Sequence, residues 1–277
     1  MEQTDTKITA EIQSDNDGKR RVSGIKFPIV VEMSTPTTFK TILQNHSNVY
    51  KNAKMIVSKN KVEFVSTNSG FTLMGTSVME CVCDFDGVYG ILINGIRKTW
   101  VPAFKRVTKD MAARLFIYEN HTNVELVIDS NHITRYKAPC EHMDISKVSV
   151  IPYSRVSKPQ FIHMVTPISI WKNFINDCRR QCNVKNAFIE VRPQNIILGY
   201  RDEYMDRVEE HIVNVRNVVD PTRYVYPVSH LHAAVTSVPK KISCHIVISD
   251  QGTLSISYRF PPGKSHIWFA VVSHPKK

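Results

Sequence analysis

Apolar positions along the chain alternate between a period of two and a period of three to four, so short strands and amphipathic helices are expected in turn. Residues 25–33 are rich in β-formers, and Pro28, which lacks an N–H, places the start of the regular strand at Ile29. Ser34-Thr35-Pro36 is a helix-start signal. Phe39, Ile42, Leu43 and His46 then follow at helical spacing. Residues 54–58 and 62–66 alternate about Lys59-Asn60 and predict a hairpin. Another strand is expected over 72–83. Ile96, Trp100, Phe104 and Val107 share one face of a second helical stretch, 95–109, which Pro102 must break, kink or shorten. A hairpin turning at Asn120-His121 and a strand over 132–138 close this half of the chain.

The pattern then repeats. Phe39-Lys-Thr-Ile-Leu aligns with Trp171-Lys-Asn-Phe-Ile at an offset of 132 residues. Asn48-Val-Tyr-Lys-Asn-Ala aligns with Asn183-Val-Lys-Asn-Ala at an offset of 135. The stretch around Ile96 matches one around Leu231 at 135, and His132-Ile133 matches His266-Ile267 at 134. Agreement among independent offsets is the signature of an internal duplication. Each half reads strand, helix, strands, helix, strands. The expected architecture is α+β: two tandem repeats of antiparallel sheet, each with two helices. Residues 1–24 read as a disordered polar tail, 25–138 and 167–277 as the repeats, and 139–166 as a connector. The connector has Pro139, Pro152 and Pro159, and an apolar stripe of Met143, Ile145, Val148, Val150 and Ile151.

Composition adds little until charge is placed. Of 277 residues, 42% are hydrophobic and 22% charged, as in ordinary globular proteins, which excludes a disordered chain, a collagen or a coiled coil. No apolar run reaches the roughly 18 residues of a membrane helix, and residues 1–21 lack the apolar core of a secretory signal. The net charge, however, is +11. Four windows around the expected helices hold Lys40, Lys51, Arg97, Lys98, Lys105, Arg106, Lys109, Lys172, Arg179, Arg180, Lys240 and Lys241 against a single acid, Asp177. The rest of the chain balances at 24 basic against 24 acidic residues. Helices that pack their apolar stripes on sheets turn the opposite face outward. That face here is basic and lacks the acids that normally pair at i,i+4. A phosphate-tracking surface is the reading this supports over an incidental solvated face or a membrane surface.

Chemistry is sparse. No P-loop, nucleophile elbow, HExxH or GxGxxG occurs, and neither catalysis, a cofactor nor a metal is expected. The acids Asp202, Glu203, Asp206, Glu209 and Glu210 are local in sequence, whereas a two-metal nuclease needs carboxylates from separate elements. His230 and His232, at i,i+2 on a helix, do not share a face. The six cysteines, Cys81, Cys83, Cys140, Cys178, Cys182 and Cys244, form no CxxC knuckle and read as reduced structural thiols.

With two repeats of about 134 residues, basic helices on antiparallel strands and a long connector, the chain resembles the sliding-clamp family, whose general template is the proliferating cell nuclear antigen (PCNA). Met143-Asp144-Ile145…Ile151-Pro152 is similar to that family's connector, and Trp268-Phe269-Ala270…His274-Pro275-Lys276 to its closing strand and terminus. The Gly252–Tyr258 stretch also resembles a strand of the damage-checkpoint clamp. The resemblance spans residues 25–277. It implies two processivity-fold repeats, a ring of like or unlike subunits around DNA, and a nuclear location (the host nucleus for a viral protein). It further implies a clamp loader and polymerase or repair enzymes as partners. Subunit contacts would fall on 132–138, with Ile133, Arg135 and Tyr136, and on 209–215, with Glu209, His211 and Val213. The peptide dock would use Met143, Ile145, Val148, Val150, Ile151, Pro152 and Pro275. The chain departs from the replicative pattern in its basic charge and its polar N-terminal extension. These shifts fit a checkpoint-type subunit or, as the alternative, a viral processivity factor acting as monomer or dimer.

Overall fold

The computed structural model describes residues 12–14, 20–22, 25–129, 132–144, 162–181, 184–201, 206–212, 215–216, 221–236, 238–249, 252–260 and 265–273. Two short strands, β1 (Ile12–Ser14) and β2 (Arg20–Val22), pair antiparallel within the stretch expected as a disordered tail.

The first repeat runs β3 (Ile29–Met33), α1 (Pro36–Val49), β4 (Ala53–Ser58), β5 (Lys61–Thr67), β6 (Leu73–Glu80), β7 (Val82–Cys83), β8 (Val88–Ile93), α2 (Trp100–Ala103), β9 (Ala112–Ile117), β10 (His121–Asp129) and β11 (His132–His142). The second runs β12 (Ile162–Pro167), α3 (Ile168–Arg180), β13 (Asn186–Val191), β14 (Asn195–Arg201), β15 (Asp206–Ile212), β16 (Val215–Arg216), β17 (Thr222–Pro227), α4 (Val228–Val235), β18 (Ser243–Ile248), β19 (Thr253–Arg259) and β20 (His266–Val272). Strand β12 lies inside the stretch read as connector, and β11 runs past residue 138 into it.

Helix α1 starts at Pro36, where the fixed φ suits a first helical turn and the missing N–H costs nothing. Phe39, Ile42 and Leu43 are fully buried, as their spacing requires. His46 continues that stripe into the core. Its Nδ1 lies 2.6 Å from Ser66 Oγ on β5, and its Nε2 lies 2.7 Å from Ser77 Oγ on β6. Burial pushes the His46 imidazole down from 6.5 to about 3. The unfolded chain takes up this proton near pH 6.5, while the folded chain refuses it until far lower pH. Stability is therefore fully present above pH 6.5 and declines as pH falls below it, by at most about 1.4 kcal/mol per pH unit from this residue. Urea unfolding at pH 7 and pH 5 is expected to show this loss in the parent protein and a smaller one in His46→Gln. Equal losses in both would remove His46 as the cause.

The second helical stretch is much shorter than 95–109. Ile96, Trp100, Phe104 and Val107 are all buried, so the periodicity placed the right residues inside. The hydrogen bonding is a succession of turns instead, including Thr99 N–H to Gly95 O and Lys105 N–H to Pro102 O, with Gly95 at φ +62° opening the stretch. Proline's missing donor and ring clash explain why a long helix does not form. The strand expected over 72–83 divides at Cys81, where β7 leaves to pair with β3. Strand β8, which the pattern did not announce, pairs with β4.

The ladders of the two repeats match. β3–β9–β10–β11 corresponds to β12–β18–β19–β20, and β8–β4–β5–β6 to β17–β13–β14–β15. Strand β20 joins β6 and fuses the halves into one continuous sheet, with Ile267 opposite Ser77 and Phe269 opposite Gly75. Gly75 is required there: a Cβ would lie 2.9 Å from the Phe269 ring. On the inner face the helices touch in the order α2, α1, α4, α3 and form a single layer across the junction.

Candidate nucleic-acid interface

The helical layer gathers the basic residues of the four windows. Lys51, Arg97, Lys98, Lys105, Arg106, Lys109, Arg179, Arg180, Lys240 and Lys241 are exposed. Lys40 and Lys172 differ from these ten. Lys40 Nζ donates to Lys105 O at 2.9 Å, and Lys172 Nζ donates to Thr236 O at 2.7 Å and to Val238 O. The two lysines are repeat equivalents, and each ties the first helix of its repeat to the carbonyls that follow the second. Carbonyls left open after a helix attract cations, so the geometry is a staple as much as a surface charge. Burial, followed by the Lys240 charge, lowers the Lys172 pKa from its ordinary value.

Arg179 Nη1 lies 2.6 Å from His232 Nε2, which accepts from it across the α3–α4 groove. Burial, then the charges of Arg179 and Lys172, lowers the His232 pKa and keeps the ring neutral as an acceptor. Asp177, the single acid of the windows, has two partners. Its Oδ1 lies 3.3 Å from Arg180 Nη1 and its Oδ2 3.0 Å from Arg207 Nη2 on β15. Its charge is thus shared with a sheet-edge arginine, a partner that sequence spacing could not reveal.

The strands expected at subunit contacts are open edges. β11 pairs with β10 over residues 132–139, and on its other side, among the described residues, only Cys140, Glu141 and His142 pair, with β8. Ile133 is 46% exposed, Tyr136 is half-buried against the core, and exposed Arg135 pairs with Glu125 at 2.6 Å. β15 pairs only with β14 among the described residues and begins at Asp206, three residues before the expected 209–215. It exposes Val208 (56%), while Glu209 lies between Arg207 at 2.6 Å and His211 at 3.4 Å. Val213 lies outside the described residues.

Of the expected peptide dock, only Met143 is described. Its N–H donates to Gly90 O at 2.9 Å, extending the β11–β8 ladder. Ile145, Val148, Val150, Ile151, Pro152 and Pro275 lie outside the described residues, as do Asp202 and Glu203. Cys81, Cys83, Cys140, Cys178 and Cys244 are free thiols. Burial pushes Cys81, Cys178 and Cys244 up to about 12, the character of inert structural thiols.

No family model and no curated protein matches this chain. Solved structures do. PCNA from Thermococcus kodakaraensis is similar with a TM-score of 0.75 at 12% identity, covering 89% of this chain and 100% of that one. Proliferating cellular nuclear antigen from Entamoeba histolytica gives 0.74 at 8% identity, covering 90% and 100%. A. fulgidus PCNA, bound to the C-terminal region of FEN-1, gives 0.73 at 12% identity, covering 90% and 99%. Two matching ladders, a basic helical layer across their junction and near-complete coverage of three clamps lead to one conclusion: this chain has the PCNA-like sliding-clamp fold.

Proposed function

We propose that the protein is a non-catalytic sliding clamp that assembles with further copies of itself around duplex DNA and serves as a platform for replication or repair enzymes. The observation behind this reading is the segregation of charge onto the helical layer. Ten exposed Lys and Arg are spread over that layer and its flanking turns, while the chain outside the four helix windows is neutral. Contacts to phosphate alone give affinity without sequence preference, which is what movement along DNA requires.

The internal junction offers a template for assembly. Aligning the repeats through their ladders carries β20 onto β11 and β6 onto β15. The Ile267–Ser77 pair then becomes Thr134 opposite Glu209, and Phe269–Gly75 becomes Tyr136 opposite Arg207, so the ladders set β20 on β11 one residue away from the His132-Ile133 and His266-Ile267 match of the sequence. On the other face, Arg135 meets Val208 and Ile133 meets Glu210. Lys137 falls opposite Asp206. The β11 edge is basic and the β15 edge acidic, each with one exposed apolar residue. Such complementarity on one chain favours self-assembly over a checkpoint-type subunit that pairs with unlike chains, and over a monomeric processivity factor. It also removes two open sheet edges. Clients would include enzymes like the FEN-1 whose C-terminal region binds the A. fulgidus clamp. A loader and a nuclear location belong to the same reading.

The decisive experiment loads the protein on nicked circular DNA and then linearises the circle. Encirclement predicts retention on the circle and loss through the new ends. Equal dissociation from both forms would refute it.

A further inference from the structure

Within the helical layer, Lys40 and Lys172 are held by backbone carbonyls and Arg180 by the Asp177 carboxylate. Arg179 is held by a nitrogen instead, its Nη1 2.6 Å from His232 Nε2. A guanidinium has donors and no acceptor, so Arg179 must donate and Nε2 must carry no proton. The imidazole is therefore neutral, with its one hydrogen on Nδ1. The bond exists only in that state. A second proton, on Nε2, would turn a donor and a like charge towards the guanidinium.

The surroundings supply charge of one sign. Burial of the ring, then Arg179 and Lys172 of α3, lowers the His232 pKa, and Lys240, which follows α4, acts on Lys172. Asp177 of α3 already serves Arg180 and Arg207. The other elements against α4 are α1, β17 and β20, and none contains an Asp or Glu. Their titratable groups are Lys40 at the Lys105 carbonyl, His46 between Ser66 and Ser77, and the buried Tyr224 and Tyr226. Arg223 pairs with Glu190 on the opposite face of β17, and His266 alternates with the core-facing Ile267. The two repeats also differ here. At the offset of 135, Ile96 matches Leu231, and both are fully buried. The next residue is Arg97 in the first repeat, an exposed permanent cation, and His232 in the second.

We propose that His232 is a proton-dependent positioning residue for duplex DNA: it holds Arg179 in place while neutral, and takes up a proton as a phosphate settles on the pair. The inference rests on the function proposed above, since it needs DNA on the helical layer. A phosphodiester brings the negative charge that the α3–α4 groove lacks. It draws the Arg179 guanidinium to its own oxygens and so frees Nε2. It also favours a proton there, taken from solvent, so that imidazolium and guanidinium share one anion. The sign follows from linkage. A bound state that prefers the protonated ring binds more tightly as pH falls, between the lowered pKa of the free ring and the higher one of the bound ring. Arg97 carries no such dependence, because a guanidinium stays charged throughout.

The test measures duplex affinity of the full chain by fluorescence titration at constant salt from pH 8 to pH 6. One fully coupled proton changes affinity about tenfold per pH unit, so the parent protein is expected to tighten about fivefold or more over this range. His232→Gln keeps an acceptor for Arg179 but cannot take the proton, and its profile should be nearly flat. Arg97→Gln removes a fixed cation and should lower affinity without changing the pH profile. Calorimetric titration of the parent protein in two buffers of different ionisation enthalpy counts the protons taken up and needs no variant. The proposal is overturned if His232→Gln keeps the parent's pH profile, if Arg97→Gln is the variant that loses it, or if calorimetry finds no proton uptake. A parent protein that binds duplex with a flat profile overturns this inference alone. One that binds no duplex at any pH overturns the proposed function with it.

Discussion

Reversing four charges, Arg97→Glu, Lys98→Glu, Arg179→Glu and Arg180→Glu, is expected to strip duplex DNA from this protein almost completely at physiological salt. All four side chains are exposed on the helical layer, two in each repeat. If each neutralises one phosphate, removing them lowers the slope of log affinity against log salt by about 3.6, or about three orders of magnitude in affinity near 0.1 M salt. Reversal adds repulsion to that loss. Fluorescence titration of a duplex oligonucleotide at several salt concentrations gives both quantities. A parallel variant, Lys40→Met with Lys172→Met, separates surface charge from staple. Those ammonium groups already donate to backbone carbonyls after α2 and α4. Their loss should lower the melting temperature clearly and change the salt slope less than the four-fold reversal does. A steep, unchanged salt slope in the reversal variant would show that DNA does not use the helical layer.

The second large effect is expected at the open edges. The variant Ile133→Glu, Arg135→Glu places two new carboxylates opposite an edge that holds Asp206, Glu209 and Glu210. Like charges across a ladder are destabilising, and burial of an exposed Ile133 is lost as well. Together these should weaken each junction about tenfold or more, and every junction of a closed assembly is affected. Sedimentation velocity should show the parent protein associating and the variant as a monomer. Combining the variant with Glu210→Lys should restore part of the association, because Glu210 falls opposite position 133 in the register derived from β20 and β6. A monomeric parent protein, or an associating variant, would exclude this pairing. The fold should survive, since both side chains are exposed and the core beneath is untouched.

Much of this molecule is written in local pattern. The stripe Phe39–Ile42–Leu43–His46, the strand start at Ile29 after Pro28 and the hairpin turning at Lys59-Asn60 appear where the spacing places them. Local pattern suffices there because amphipathic period and turn chemistry are properties of neighbouring residues. The tandem repeat was equally legible, since it depends only on comparing the chain with itself.

The remaining features depend on residues far apart in sequence. Pro102 lies in a stretch whose apolar period is helical, and only packing settled that Ile96, Trp100, Phe104 and Val107 reach the core through successive turns. Lys40 and Lys172 look like any other surface cations until the carbonyls after α2 and α4 come within reach. Asp177 finds Arg207 only because α3 lies beside β15. His232 meets Arg179 only because α4 packs beside α3. The sequence by itself determined the two repeats, many of the elements within them and the concentration of positive charge in the helix windows. Tertiary structure decided which of those charges stay exposed, which edges remain open and which cation a histidine holds. Period and charge are additive along a chain, whereas hydrogen bonds, ion pairs and grooves exist only where the fold brings distant side chains within a few ångströms.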